Sequence, residues 1–260
     1  MNQIFINIKK PILSVVLATS ILIGAVACSK NDDSATTIRT PAHLENWEVK
    51  PIVDESKPYM TMLTGVPIGT KIRFEVIASR SDILLRDVWV DLNNNGKWDD
   101  ESEDVSKDNA TYTVKSPIIT IYGEVENFIC YGTNMQLKEL DVTHNKWLRQ
   151  LGCNWNLLKT LDVSQNEDLR GLKAEFNQLE SLKINNPRYL TDIRIAVNNF
   201  SEAELLKVSQ GLPKIKEGNF YLNQPKLERE HNQVNSEIIR IAQKKGWHVW
   251  LNDWEWYADQ

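Results

Sequence analysis

The sequence predicts a mainly β fold with short helices, in which a solenoid lies between an N-terminal β cap and a C-terminal α/β cap. Leucines and other apolar residues recur about every 21 residues through the middle of the chain. Alternating apolar runs precede this region, and helical patterns follow it. Because a solenoid presents a long surface and no deep pocket, the pattern favours binding over catalysis.

The repeat is clearest between Leu148 and Asn166, where leucines, a cysteine and a valine alternate with polar residues. The same slots are filled one period later by Leu169, Leu172, Ala174, Asn177, Leu179, Leu182 and Ile184. Further copies include Leu140 on one side and Ile193 on the other. The asparagine at each bend predicts hydrogen bonds to the backbone of adjacent coils, which lacks helix or sheet partners there.

Residues 1–27 have the features of a secretory signal. Two lysines precede an apolar run from Ile12 to Val26, and small residues then lead to Cys28. The run is too short and wrongly flanked for a membrane-spanning helix. Two interpretations remain: a lipoprotein signal peptide, with the lipid attached to Cys28, or a plain secretory signal cut near Ala27.

Residues 28–46 are polar and predict a solvated tether. The formal net charge of the whole chain is −5, and loss of the two lysines in residues 1–27 makes it −7 (−5 − 2). Acidic chains bind poorly to the phosphate backbone of nucleic acids. We therefore expect no nucleic-acid partner.

Three further segments follow the tether. Residues 47–116 contain short alternating runs such as Lys71–Ile77, which predict a small antiparallel β domain. Residues 117–200 carry the repeats. Residues 201–260 begin with a capping-box pattern at Ser201 and continue with two amphipathic helical patterns and short apolar runs, so they predict a C-terminal α/β cap.

The half-repeats L-x-x-L-x-C-x-x-N and L-x-x-L-D-V-S-x-N resemble the 21-residue leucine-rich repeats of internalin-like surface proteins with a cysteine ladder. They resemble more closely the leucine-rich-repeat surface lipoproteins of Bacteroidetes, in which a V-W-[IV]-D-x-N-x-N-G motif precedes the repeats and a K-G-W-x-V motif follows them. The matching residues here are Val88 to Gly96 and Lys245 to Val249. The resemblance covers roughly residues 58–250.

The resemblance implies a leucine-rich-repeat solenoid and a location at the bacterial outer membrane. The acidic stretch Ser29 to Asp33, directly after Cys28, looks like the surface-export signal of such lipoproteins. The expected protein is therefore anchored to the membrane through a lipid on Cys28 and exposed at the cell surface. Proteins of this family are adhesins, binders of host proteins, or uncharacterised.

One loop has the spacing of a calcium site. Asp91, Asn93, Asn95 and Asp99 occupy loop positions 1, 3, 5 and 9, and a glycine occupies position 6. The acid expected at the last position is Ser102. Two interpretations remain, a weak calcium site or a glycine-closed turn rich in asparagine. No other cofactor is expected.

A second set of residues predicts a partner-binding surface. Trp155 and Phe176 share one slot in adjacent coils, and Lys173 and Arg194 are expected to face outward beside them. Aromatic and arginine anchors dominate protein interfaces, and a glycan is a further candidate ligand. The alternatives are that the aromatic pair packs at a corner, or that the Trp254–Trp256 tail is the site. The other positions expected to face outward are Ile129, Tyr131, Gly152, Asn154 and Glu175.

No set of residues in the sequence indicates catalysis. The four histidines are scattered, and no nucleophile motif, phosphate loop or dinucleotide fingerprint is present. We therefore expect a binding protein and not an enzyme. The favoured function is adhesin-like recognition of a protein or glycan from the host or the envelope. The alternative is a structural or accessory subunit of an outer-membrane complex.

Overall fold

The computed structural model describes residues 51–78, 88–105, 111–130 and 135–251. The strands of its first part are β1 (Tyr59–Thr64), β2 (Lys71–Arg73), β3 (Glu75–Ala78), β4 (Trp89–Asp91), β5 (Thr111–Thr113), β6 (Ile118–Tyr122), β7 (Val125–Ile129) and β8 (Leu137–Asp141). The elements that follow are β9 (Gln150–Gly152), β10 (Thr160–Asp162), β11 (Gly171–Lys173), β12 (Ser181–Lys183), β13 (Asp192–Arg194), α1 (Glu202–Gly211), β14 (Gly218–Tyr221), α2 (Ser236–Lys244) and β15 (Trp247–Trp250).

The largest sheet has seven strands in the order β15-β14-β13-β11-β9-β7-β3. Neighbouring strands are parallel, except that β3 is antiparallel to β7. Leu172 lies opposite Leu151 and Ile193, so its partners are 21 residues away in both directions (172 − 151 and 193 − 172). These inward leucines and isoleucine are buried, which leaves the alternate residues on the other face of the sheet.

The remaining strands form smaller sheets. A four-stranded antiparallel sheet has the order β4-β6-β1-β8, while β2 pairs with β5 and β10 pairs with β12. One continuous core joins these sheets to the seven-stranded sheet and to both helices. It extends from Met60 in β1 through Leu161 in β10 to Trp247 in β15. Within the part of the chain that the structure describes, no helix is long and apolar enough to span a membrane.

The predicted fold class is wrong in its architecture. The chain is mainly β with few helices. Its strands form several sheets, and strands from different predicted segments pair within one sheet. The chain is therefore not a solenoid between separate caps. β8 lies in the predicted repeats, yet it pairs antiparallel with β1 and places Leu140 opposite Met62. β3 lies in the predicted β domain, yet it places Val76 opposite Phe128 of β7. A repeat period specifies apolar spacing but not which strand covers an open sheet edge.

A column of asparagines lies just beyond the C-terminal ends of β9, β11 and β13 and consists of Asn156, Asn177 and Asn198. The side-chain oxygen of each accepts a backbone N–H from the preceding repeat at 2.8–3.0 Å. The side-chain nitrogen of each donates to backbone carbonyls of its own repeat and of the preceding one. The predicted role of the bend asparagines is therefore confirmed for this column.

The loop between β14 and α2 continues this column without following the repeat. Asn232 Oδ1 accepts the N–H of Phe200 at 3.1 Å, and its Nδ2 donates to two backbone carbonyls at 2.9 Å. Glu230 Oε2 accepts the N–H of Val197 at 2.8 Å. At the equivalent position one repeat earlier, a backbone carbonyl accepts the N–H of Phe176. A carboxylate thus replaces the carbonyl that a further repeat would supply.

Both helices begin at capping residues. Ser201 accepts the backbone N–H of Glu204, as its capping-box pattern predicts, and Asn235 accepts two N–H groups at the start of α2. The chain leaves α2 at Gly246, which has φ +92°, and a Cβ there would lie 2.1 Å from the carbonyl oxygen of Ile215. Only glycine fits this turn without a rearrangement, and the turn directs the chain into β15.

Candidate binding surface

The outer face of the seven-stranded sheet is the candidate site. On this face, one in-register row crosses six parallel strands and consists of Ile129, Gly152, Lys173, Arg194, Tyr221 and Trp250. A second row lies beside it and consists of Asn127, Gln150, Gly171, Asp192, Asn219 and His248. We call these two rows together the outer face.

Arg194, one of the predicted anchors, is already engaged within the outer face. Its Nε donates to Asp192 Oδ1 at 3.0 Å, and its guanidinium lies 4.6 Å from the centroid of the Tyr221 ring. Burial opposes the positive charge, but the Asp192 hydrogen bond and the nearby carboxylate of Glu175 raise the pKa of Arg194 above its ordinary value. Arg194 therefore supports an aromatic neighbour and is held in one position.

Tyr221 and Trp250 extend this stack to the edge of the sheet. Their rings are nearly parallel, at 7° with centroids 5.6 Å apart, and His248 packs edge-on against Trp250 at 4.3 Å. The Trp250 indole N–H donates to Asn219 Oδ1 at 3.0 Å. Trp250 is 38% exposed, whereas Trp247 on the opposite side of β15 is 2% exposed. The two tryptophans therefore lie on opposite faces of β15.

Tyr221 and Trp250 were missed as site residues by the sequence reasoning. Trp250 belongs to a W-x-V-W run whose alternation assigns it to the solvent side, and that was the available signal. Nothing in the sequence aligns β14 with the repeats, because the distance from Arg194 to Tyr221 is 27 residues (221 − 194) and not 21. The pairing of β13 with β14 is what brings Tyr221 beside Arg194.

Trp155 and Phe176 lie at the corner where the chain leaves the sheet. Their rings stack at 3.8 Å with an interplanar angle of 5°, and both side chains are half-buried. Trp155, Phe176 and Val197 have φ of 60°, 56° and 58°, a left-handed conformation that bulky residues rarely adopt. The surrounding hydrogen bonds must hold this backbone, and such strain is often found at binding sites.

Two positions predicted to face outward do not do so, because Glu175 is 0% exposed and Asn154 is buried. The left-handed corner turns the chain directly after these residues, so strict alternation ends before Asn154 and Glu175. Gly152 lies on the outer face but is covered by Ile129, and the predicted outward residue Tyr131 lies outside the described residues. Lys173 remains exposed as predicted, and it makes no ion pair with any described residue.

The four predicted calcium ligands lie together in one loop after β4. Asp91 Oδ1 accepts the N–H groups of Asn93 and Asn95, and its Oδ2 accepts that of Gly96 at 2.7 Å. The amide nitrogens of Asn93 and Asn95 both donate to Asp99. Calcium is bound by oxygen atoms, so nitrogens directed at Asp99 favour the plain turn. Among the described residues, no three His, Cys, Asp or Glu side chains are grouped as metal ligands.

Glu103, in a short 3₁₀ helix (Glu101–Glu103), supplies a second buried carboxylate that the spacing did not predict. Its two oxygens accept the backbone N–H groups of Leu92 and Asp99. Burial raises the pKa of Asp91 above its ordinary value, although hydrogen bonds from backbone N–H groups oppose this shift. Burial and the nearby charges of Asp91 and Asp99 also raise the pKa of Glu103 above its ordinary value.

We call the loop from Asp91 to Glu103 the acidic loop. The stability that it contributes should depend on pH more than on calcium. A raised folded-state pKa means that the folded chain binds protons more tightly than the unfolded chain. The stability should thus fall as pH rises from the ordinary carboxyl pKa of about 4 through the raised values. Urea unfolding at several pH values, with Asp91→Asn for comparison, should show a smaller fall in the variant. A melting temperature that rises with added calcium in the wild type but not in Asp91→Asn would contradict the plain turn.

Two predicted sites lie outside the described residues. These are the lipidation residue Cys28 and the Trp254–Trp256 tail. Their roles stay predictions.

No family model, no curated protein and no solved structure matches the chain.

Proposed function

We propose that this protein is a lipid-anchored binding protein of the bacterial cell surface, and that its outer face recognises a protein partner. The observation that carries the proposal is the stack Arg194–Tyr221–Trp250, which crosses three adjacent strands. Arginine, tyrosine and tryptophan are the residues enriched at the energetic centres of protein interfaces. Here they are positioned by a rigid sheet and by hydrogen bonds to Asp192 and Asn219.

The dimensions of the outer face suit a protein partner. Its six strands, spaced by about 4.8 Å, span about 24 Å, which is comparable with the width of a standard protein interface. Apolar side chains lie at both ends of the sheet, with Ile77 and Ile129 on one side and Trp250 on the other. The exposed cation Lys173 lies between them. A mixed surface of this kind binds through a few anchors surrounded by polar contacts.

The stack should contribute most of the affinity. We expect Trp250→Ala to weaken partner binding by at least about 30-fold, or about 2 kcal/mol, because Trp250 is the most exposed member of the stack. Trp98→Ala is the matched control, since Trp98 is a 54% exposed tryptophan outside the outer face. The partner is obtained by pull-down against host matrix proteins and against the organism's own envelope, and affinity is measured by surface plasmon resonance.

The same experiment distinguishes the candidate surfaces and partners. If Trp155→Ala abolishes binding while Trp250→Ala does not, the corner is the site and the stack is structural. If removal of residues 252–260 alone abolishes binding, the tail is the site. Capture of an envelope subunit in place of a host protein would favour the accessory role, and binding of a purified glycan would replace the protein partner.

The anchor is tested separately at Cys28. We expect Cys28→Ala to leave an uncleaved precursor or to release the protein from the membrane fraction, because alanine lacks the thiol to which the lipid is proposed to attach. Metabolic labelling with a fatty-acid analogue and cell fractionation measure this directly. Cys153→Ala is the control, since that thiol is buried. Unchanged labelling of Cys28→Ala would contradict the lipid anchor.

A further inference from the structure

A groove of about 680 Å³ opens between the segment before β1 and the turns that follow β8 and β10. Its volume is within the range of ligand sites. Its charged and aromatic lining consists of Glu55, Lys57, His144, Lys146, Trp147, Glu167 and Asp168. None of these residues belongs to the outer face or to the acidic loop. We propose that this groove binds a lysine or arginine side chain presented by a basic peptide segment.

Three carboxylates of the groove form no ion pairs within the part of the chain that the structure describes. Glu55, Glu167 and Asp168 make no ion pair with any described residue. Lys57, by contrast, already pairs with Asp54 at 3.8 Å. The unpaired charges of the described lining are these three carboxylates and the Lys146 ammonium, which sum to −2 (−3 + 1). A cleft with a net negative charge attracts cations.

One cation already occupies the aromatic wall. The Lys146 ammonium lies 4.7 Å from the centroid of the Trp147 ring, which is the geometry of a cation–π contact. No described carboxylate lies within ion-pair distance of Lys146. The Trp147 face thus receives an ammonium group in this groove, and Lys146, which supplies it, makes no ion pair with any described residue. A cationic side chain from a partner can take its place.

The electrostatics behind the groove have the same sign. Tyr59 stacks on the lining residue His144 with centroids 4.4 Å apart, and its hydroxyl is buried without a hydrogen-bond partner among the described residues. Burial, together with the charges of Asp141 and Glu55, raises the pKa of the Tyr59 hydroxyl well above its ordinary value. Asp141 also lies 3.4 Å from His144 Nδ1. Negative potential therefore extends beneath the groove as well as along its rim.

The arrangement suits a long side chain and not a bare metal ion. Glu55 comes from the segment before β1, whereas Glu167 and Asp168 come from the turn after β10. The described acids and histidines do not converge as metal ligands do. A lysine or arginine side chain is long enough to place its charged head over the Trp147 ring, beside the carboxylates of the groove. The side-chain carbonyl of the exposed lining residue Gln165 can then accept a hydrogen bond from a peptide backbone.

The test is calorimetric titration of the full-length protein with an acetylated and amidated tetralysine peptide, with tetraglutamate as the opposite-charge probe. We expect tetralysine binding that weakens as salt rises from about 20 mM to about 150 mM. Trp147→Leu and Asp168→Asn should each weaken binding about two- to fivefold. Lys146→Met should strengthen it by about twofold or more, because it removes the internal competitor. Lys173→Met, on the outer face, is the control and should change nothing.

The proposal is overturned if tetralysine shows no binding at about 1 mM. It is also overturned if tetraglutamate binds as well, or if Lys146→Met leaves tetralysine affinity unchanged or lowers it. Melting temperatures identify any variant that fails to fold. If Trp147→Leu does not fold, the contribution of the groove to tetralysine affinity is measured with the surface substitutions Asp168→Asn and Glu167→Gln. Trp250→Ala should leave tetralysine binding intact, so the groove is tested independently of the proposed function.

Discussion

Asn198→Ala should lower the free energy of unfolding by about 2–4 kcal/mol. Asn198 is fully buried, and its Oδ1 accepts the N–H of Leu179 at 2.8 Å. Its Nδ2 donates to the carbonyls of Ala174 and Ile195 at 3.0 Å. Alanine leaves the buried Leu179 N–H without this acceptor, which costs about 1–3 kcal/mol, and it removes the Nδ2 hydrogen bonds, each worth about 1 kcal/mol. The Ala174 carbonyl keeps a hydrogen bond from Asn177 Nδ2 at 3.2 Å.

The neighbouring residue provides the control for this prediction. Asn199 is exposed, and its side chain makes one long hydrogen bond of 3.5 Å, so Asn199→Ala should cost less than about 0.5 kcal/mol. Urea unfolding followed by circular dichroism measures both variants. Asn198→Asp is informative as well, because it keeps the acceptor for Leu179 but directs a carboxylate at the Ala174 carbonyl. Equal losses at positions 198 and 199 would show that the asparagine column does not stabilise the fold.

Trp247→Ala should lower the free energy of unfolding by about 3–5 kcal/mol, the usual cost of deleting a buried tryptophan. Trp247 is 2% exposed and packs edge-on against Phe220 with centroids 6.5 Å apart. Its indole N–H donates to the carbonyl of Pro213 at 2.9 Å. The variant loses this packing and hydrogen bond at the point where β15 and α2 close the core.

Trp250→Ala, on the same strand, separates stability from recognition. It faces solvent and should cost about 1 kcal/mol or less, chiefly through the lost hydrogen bond to Asn219. Thermal and urea unfolding should therefore order the variants as wild type, Trp250→Ala and then Trp247→Ala. Partner affinity should fall in Trp250→Ala and should change little in any Trp247 variant that folds. A large loss of stability in Trp250→Ala would mean that the stack is part of the core and not a binding surface.

Some features of the candidate site were predictable because they depend on local pattern. The alternation in β11 places Lys173 on the exposed side of a strand whose inward residue is Leu172. The shared slot of Trp155 and Phe176 places their rings in contact. Glu175 was predicted to face outward and is buried, since the left-handed backbone at the corner ends the alternation. Backbone conformation at a corner depends on hydrogen bonds from neighbouring chain segments, which local sequence does not specify.

Other features follow from contacts between residues far apart in the chain. Tyr221 reaches Arg194 because β14 pairs with β13, although the 21-residue spacing has ended. Glu230 and Asn232 bond to the corner residues through an irregular loop with no repeat signature. The groove likewise combines the segment at Glu55 with turns about 90 and 110 residues later. Contacts between residues this far apart in the chain leave no short-range pattern in the sequence.

The sequence by itself determined the apolar spacing, the bend asparagines, the helix caps and the mainly β content. Each of these depends on residues within one or two turns or strands, where side-chain period and hydrogen-bonding chemistry act directly. The tertiary structure alone decided the sheet order, including the antiparallel pairing of β1 with β8 and of β3 with β7. Open sheet edges offer unpaired backbone groups to any strand that can reach them, so their partners are selected by the packing of the whole core and not by the repeat.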